Sequence, residues 1–362
     1  MKMCTSSNYG IAEIDPLVDE RWDSFVENHP FGWICHHSGW KKVLERSFHH
    51  LEAHYFVIFR GGKIQAGLPV FEVRSWLTGN RLVSIPFATI FDPLISSDDD
   101  LAALISAVMR LSRERKIDTI EIRTLKSSSF FSKTALGAAE CYKHHYLPLD
   151  RPPEELLKTF HRSCVRQRIT RAMKSGIEVM EGKTESDLRD FYRLYVLSRK
   201  RLALPPQPYA FIESLYKVFY PLGGASLLIG KKKEGNPIAA LLLLKFKGRV
   251  SAEFAVYDAA YLNISPIHLL FWEAIKMAAT EGFSTFDFGR TSSFNTDLMD
   301  FKDRWGTTVA DMPEFHYSPR DASEKDAVRE KTFSYRFMRK TCEKAPAFAL
   351  PYIGNFCYRH LG

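Results

Sequence analysis

The order of elements along this chain is repeated, and that repeat restricts the available folds more than any compositional figure. In the first half an apolar run, Tyr55 to Phe59, is followed by Gly61-Gly62 and a second run, Ile64 to Val73. In the second half Ser226 to Ile229 precedes Glu234-Gly235-Asn236 and Ile238 to Phe246. Two strand-length runs around a glycine turn predict a β-hairpin in each half. A helical pattern follows both times. Leu101 to Lys116 places Leu101, Leu104, Ile105, Val108 and Leu111 on one face, and Pro266 to Glu281 does so with Leu269, Leu270, Trp272, Ile275 and Ala279. Pro266 near the start and Gly282 past the end suit helix termini. A short strand closes each unit, Thr119 to Thr124 and Ser284 to Phe288. Corresponding elements are offset by about 165 to 175 residues, the scale of a duplicated domain and not of a solenoid.

Hairpin, helix and neighbouring strand describe a mixed α/β sheet. The proline-rich stretch Leu147 to Pro153 interrupts both periodicities and marks the expected junction. The expected organisation is therefore a first domain over 1–150, a second over 151–320 and a C-terminal tail over 321–362.

With 362 residues, 45% hydrophobic and 25% charged, the chain has the makeup of a globular protein of two ordinary domains. Its net charge of +8 favours polyanionic partners without choosing among phosphates, nucleic acid and anionic lipid. No run of about 18 apolar residues predicts a spanning helix, and the first residues do not read as a secretory signal. Six scattered cysteines without CxxC spacing point to reduced thiols and a cytoplasmic setting. The pairs His36-His37, His49-His50 and His144-His145 are poor chelators, because adjacent side chains diverge, so no metal is expected.

Chemistry concentrates near Phe283 to Gly306. The strand Ser284 to Phe288 is expected to break at Gly289 and present Arg290, Thr291, Ser292, Ser293 and Asn295 at its C-terminal end. Phe301, Lys302, Arg304, Trp305 and Gly306 follow at once. Ligands of α/β proteins collect outside the carboxyl ends of strands, so this cluster is a candidate site for an anionic group. A strand, a polar turn and an amphipathic segment with Trp305 in the core is the alternative. A basic helix is expected over Glu154 to Lys174, with Lys158, Arg162, Arg166, Arg168, Arg171 and Lys174. It reads either as a solvated face or as a phosphate-tracking surface. Arg199-Lys200-Arg201 closes the helix Glu185 to Val196, where cations suit the helix dipole. No GxSxG, HExxH, Walker A or GxGxxG motif is present.

The order of elements matches the core of the GNAT acyltransferases and implies two tandem GNAT-like domains with mixed sheets. GNAT enzymes that use acetyl-CoA carry a glycine-rich loop before the central helix, where backbone N–H groups reach the pyrophosphate. Here the corresponding stretches are Tyr261 to Pro266, without glycine, and Ile95 to Asp100, which is acidic. Neither supports standard CoA binding. The tandem layout, the missing loop, Phe286-Asp287-Phe288-Gly289 and the F-K-x-x-W-G segment Phe301 to Gly306 resemble the Fem family, with its FemAB-like and BioF2-like relatives near envelope-polysaccharide genes. The resemblance runs from about Phe31 to Pro319.

The resemblance implies an N-acyltransferase acting on an amine of a cell-envelope, peptidoglycan or exopolysaccharide precursor. It implies no tightly bound cofactor, and an acyl donor that is either aminoacyl-tRNA or acyl-CoA. Lys302 would stabilise the developing oxyanion. Arg201, in Ser198-Arg199-Lys200-Arg201, would contact the precursor's phosphate. Arg290, Ser292, Asn295 and Arg304 complete the expected substrate-binding set. Trp40 is added by analogy with a family motif in which a lysine follows an N-terminal tryptophan, although Lys41 and Lys42 are offset from it. Asp287 is the candidate proton acceptor. The tail Ala345 to Gly362 is aromatic and ends in basic residues. It is expected to dock on the first domain, with interfacial contact at the inner face of a membrane as the alternative. Two other functions stand beside acyl transfer: a non-catalytic GNAT-pair binding module, and an RNA- or phosphate-binding protein that uses the basic helix.

Overall fold

In the computed structural model, which describes residues 9–233, 235–317 and 333–361, the hairpin around Gly61-Gly62 forms as expected. Both glycines have positive φ, which a side chain would resist. The charged segment Arg320 to Lys331 lies outside the described residues. The chain divides into two compact units. Of the described residues, the first holds 9–141, 312–317 and 359–361, and the second holds 142–311 and 333–358. The expected junction, Leu147 to Pro153, falls inside the second unit.

The first unit runs β1 (Tyr9–Ile14), α1 (Arg21–Asn28), α2 (Ser38–Ser47), β2 (Leu51–Arg60), β3 (Lys63–Val73), β4 (Arg81–Ser84), α3 (Asp98–Arg115) and β5 (Thr119–Arg123). The strands lie in the order β1-β2-β3-β4-β5, and residues 314–317 pair antiparallel to β5. β4 and β5 are parallel, so α3 is their crossover. Asp98 to Asp100 is not a loop, as expected from sequence, but the first turn of α3. The Ser97 hydroxyl accepts from the Asp100 N–H, and the acids lie at the positive end of the helix. Trp22, Trp40, Tyr55, Phe71 and Phe91 fill the core.

The second unit repeats the plan with additions. It contains the end of β6 (Gly137–Pro148), then α4 (Pro153–Thr159), α5 (Gln167–Lys174), β7 (Ile177–Glu181), α6 (Glu185–Arg201), α7 (Tyr209–Phe219), β8 (Ala225–Lys232), β9 (Pro237–Phe246), β10 (Arg249–Tyr257), α8 (Pro266–Thr280), β11 (Thr285–Ser292) and α9 (Thr296–Asp303). The start of β12 (Thr308–Tyr317), then α10 (Phe333–Lys344) and α11 (Leu350–Tyr358), close it. The strand order is β6-β11-β10-β9-β8-β7. β10 and β11 are parallel and joined through α8, which packs Leu270, Phe271, Trp272 and Ile275 into the core.

Three expectations change. The basic segment Glu154 to Lys174 is not one helix. It stops at Phe160, and a wide helical turn over Arg162–Arg166, capped by the His161 ring, leads into α5. The strand expected to break at Gly289 continues to Ser292, because a β-bulge between Asp287 and Gly289 absorbs the irregularity while pairing with β6 goes on. The tail does dock, but its helices pack in the second unit. Cys342 and Leu350 are buried against Val196 of α6, with Ile353 beside them. Only its last residues join the first unit, where His360 meets Ser75 and Thr78.

Gly354 lies directly against the backbone carbonyl of Pro206, and an added Cβ would overlap that oxygen. Gly354→Ala is expected to destabilise the docked α11 by about 1–3 kcal/mol. Faster amide exchange confined to residues 350–358, with the rest of the chain unchanged, is the readout.

Candidate active site

The bulge on β11 organises the candidate site. Gly289 has φ 72, and its N–H donates to its neighbour Asp287 Oδ1 at 2.6 Å. Asp287 is fully buried, yet its other oxygen, Oδ2, lies 2.7 Å from both His144 Nε2 on β6 and Arg249 Nη1 on β10. Burial opposes its charge. The His144 and Arg249 charges and the Gly289 N–H outweigh burial and hold the carboxyl below its ordinary value. A carboxylate so occupied ties three strands together. Both oxygens are engaged and buried, so the geometry gives the expected role of Asp287 as base no support.

Lys302 comes to the same place from α9. Asn295 caps that helix, its side chain accepting from the Leu298 N–H at 3.2 Å. The Lys302 ammonium donates to the Gly289 carbonyl at 2.9 Å and to the Arg290 carbonyl at 3.1 Å. An ammonium has three protons, so one remains beyond these two bonds. Lys302 is 5% exposed, and burial lowers its pKa to about 8, against the pull of Asp287. His145, on the next residue of β6, is buried too. Its Nδ1 lies 3.2 Å from Asp303 Oδ1, and its Nε2 has no partner. Burial first, then the Lys302 ammonium, lowers its pKa, with Asp303 opposing.

The other expected residues scatter around this centre. The Arg290 guanidinium covers the Tyr142 ring at 4.5 Å. The Ser292 hydroxyl accepts from the Phe294 N–H at 3.4 Å, and Phe294 is itself 70% exposed. Arg304 is exposed just past the end of α9, beside Asp300. Trp40 is 2% exposed in the core of the first unit, so its ring has no open face for a substrate.

A cavity of about 170 Å³ opens at the start of α8. Arg168, Arg171, Tyr257, Ser265 and His268 help to line it. Ser265 takes the left-handed conformation, φ 57, where a glycine would be at ease. Pro266 has no N–H to offer, so the arginines supply most of the positive charge here. The Arg201 guanidinium lies over the Tyr257 ring at 4.1 Å and so joins the cavity's surroundings. His268 is 5% exposed, its Nδ1 has no partner, and burial with the added charge of Arg168 lowers its pKa to about 4. Its ring stacks on Trp305 and meets Phe301 edge-on. Both neighbours flank Lys302 within three residues of chain, so one aromatic layer links the cavity to the lysine.

Sequence reasoning missed His144, His145, Arg249 and His268. The adjacent pair His144-His145 was a usable signal: divergence on a strand sends one ring to Asp287 and the other to Asp303. Among the described residues, Glu121, Glu314 and His316 of the first unit have the spacing of metal ligands. Arg81 lies 4.0 Å from Glu121 and Arg123 3.6 Å from Glu314, so both carboxylates already have counter-charges and the set reads as an ion-pair network.

The lowered pKa of Lys302 has a measurable consequence. The folded protein binds this proton less tightly than the unfolded chain does. The group therefore opposes folding below about pH 8, and the penalty fades as pH rises towards 10.5. Over that interval the stability gap between Lys302→Met and wild type is expected to shift by about 3 kcal/mol in favour of wild type. Urea unfolding at several pH values measures it, and a gap that stays constant would contradict the buried charge.

Residues 160–303 match the family model described as "Acetyltransferase (GNAT) domain". The chain is 20% identical over 304 residues to the UDP-N-acetylmuramoylpentapeptide-lysine N(6)-alanyltransferase of Weissella viridescens, covering 78% of this chain and 87% of that protein. In structure it is similar to FemX, with a TM-score of 0.70 at 17% identity over 85% of this chain and 97% of the other. It is also similar to a tandem GNAT protein of clavulanic acid biosynthesis, with a TM-score of 0.56 at 10% identity over 86% and 98%. The GNAT-like tandem expected from the repeat is the observed fold, and the chain is similar in sequence and in structure to Fem-type acyltransferases.

Proposed function

We propose that the protein transfers an acyl or aminoacyl group to an amine on a cell-envelope precursor, with a muropeptide of the UDP-N-acetylmuramoylpentapeptide kind as the first acceptor to test. The observation that carries the mechanism is the buried Lys302 ammonium, fixed by two backbone carbonyls with a third proton left over. The acceptor nitrogen attacks the acyl carbon, and the carbonyl oxygen becomes an oxyanion. Lys302 donates to that oxygen from a site with little water, where a preset charge counts most. Collapse expels the donor's hydroxyl or thiol, and the proton lost by nitrogen ends on that leaving group. Asp287, His144 and Arg249 hold the bulge against which Lys302 is aimed.

The cavity at the start of α8 is the proposed seat for a phosphate of the donor, with Arg168 and Arg171 in place of a glycine-rich loop. Aminoacyl-tRNA and acyl-CoA both carry phosphate, close to the reacting ester in the first and at the far end of the pantetheine arm in the second, so the seat suits either donor class. Arg201, held over Tyr257, would take a phosphate of the precursor.

Purified protein with muropeptide and a radiolabelled donor, either alanyl-tRNA or acetyl-CoA, tests the reading. Lys302→Ala is expected to lower kcat about 10²–10³-fold while the melting temperature does not fall. Unchanged turnover sinks the mechanism. Wild-type rates should decline above about pH 8, as Lys302 loses its proton, and Lys302→Arg should lack that descending limb at its lower rate. Arg168→Gln with Arg171→Gln should raise the donor KM and leave kcat near wild type. A fall in kcat alone would remove the cavity from donor binding.

A further inference from the structure

We infer that the C-terminal helices form a surface that seats the protein on an anionic lipid bilayer, a property independent of the acyl-transfer reading. α11 has two sides with different fates. Leu350 and Gly354 are buried, and Ile353 packs beside Val196 of α6. On the other side Phe348, Tyr352 and Phe356 recur every four residues through the short helical turn Ala347–Ala349 and α11, and are 78%, 75% and 51% exposed. A spacing of four keeps them along one stripe. The packing that folds the helix onto its own unit is made by the first side, and the three rings of the stripe stay largely exposed.

α10 supplies the charge. Arg336, Arg339, Lys340 and Lys344 are exposed, and Phe337, 65% exposed, shares a helix face with Lys340 and Lys344. These are four cations against one carboxylate, Glu343, across residues 335–358. Exposed Phe and Tyr beside Lys and Arg is the makeup of a segment lying in a lipid headgroup layer, rings towards the acyl chains and cations towards phosphate. A second copy of this chain would bring the same positive charge against it, which disfavours self-association as the use of this face. The helices are too short to cross: among the described residues none is long and apolar enough to span a membrane. The contact is therefore interfacial and reversible.

The full-length protein is sedimented with vesicles of phosphatidylcholine alone, or with about one part in three phosphatidylglycerol. Binding is expected to the anionic vesicles and to fall several-fold as salt rises from about 0.1 to 0.5 M. Phe348→Ser with Tyr352→Ser and Phe356→Ser should weaken it about tenfold. Arg336→Gln with Arg339→Gln, Lys340→Gln and Lys344→Gln should remove most of the salt dependence. A wild-type melting temperature and an unchanged far-ultraviolet circular dichroism spectrum show that the variants remain folded. Absence of wild-type binding to the anionic vesicles overturns the inference, as does equal binding by the triple serine variant. A dimer in light scattering that the serine variant dissolves also overturns it, by assigning the stripe to a second copy.

Discussion

Gly289 is held from both sides, and the candidate site depends on that. Its N–H is taken by Asp287 and its carbonyl by Lys302. Asp287 in turn is held by His144 and Arg249 from the two strands that flank β11. A carboxylate with no exposed surface persists only because each oxygen has partners, two of them able to carry positive charge. Removing Arg249 or His144 would leave a poorly compensated charge in the core and release the bulge. The lysine would then lose one of the carbonyls that aim it.

The same arrangement explains why Lys302 is set apart from the other lysines. A surface ammonium is screened and mobile, and its attraction for an oxyanion is small. Here burial has already removed much of the water, at a cost visible in the lowered pKa. In the proposed reaction that cost is borne by the fold and not by the reacting complex. The cavity at the start of α8 is connected to this centre through His268, Trp305 and Phe301. The cavity wall and the lysine therefore share one aromatic layer.

Much of the fold was readable from periodicity. Both hairpins, the helices α3 and α8 and the closing strands lie within a few residues of their expected places, because alternation and the 3.6-residue period are local properties. The errors have physical causes. Gly289 resembles a terminator in sequence, but pairing with β6 carries β11 through it as a bulge. The segment after Pro153 keeps one helical pattern of apolar residues, yet the chain turns at Phe160, whose ring packs on Trp272 and Trp305. Of the expected site residues, Lys302 and Asp287 do meet at the bulge, whereas Asn295 serves as a helix cap and Trp40 is core.

The amino-acid sequence by itself determined the duplication, the α/β plan and the lysine-bearing segment, since each is written in spacing along a continuous stretch of chain. Tertiary structure alone decided what the lysine faces, which charges surround Asp287, and that two arginines from α5 line a cavity at the start of α8. The Asp287 contacts and the cavity join residues tens of positions apart, and the Lys302 contacts, 13 and 12 positions apart, depend on how α9 packs on β11. A salt bridge or a cavity depends on distances in space, and residue spacing along the chain does not encode them. The tail shows the same division: composition marked it as aromatic and basic, but only packing against α6 decided that Leu350 is buried while Phe348, Tyr352 and Phe356 are left exposed.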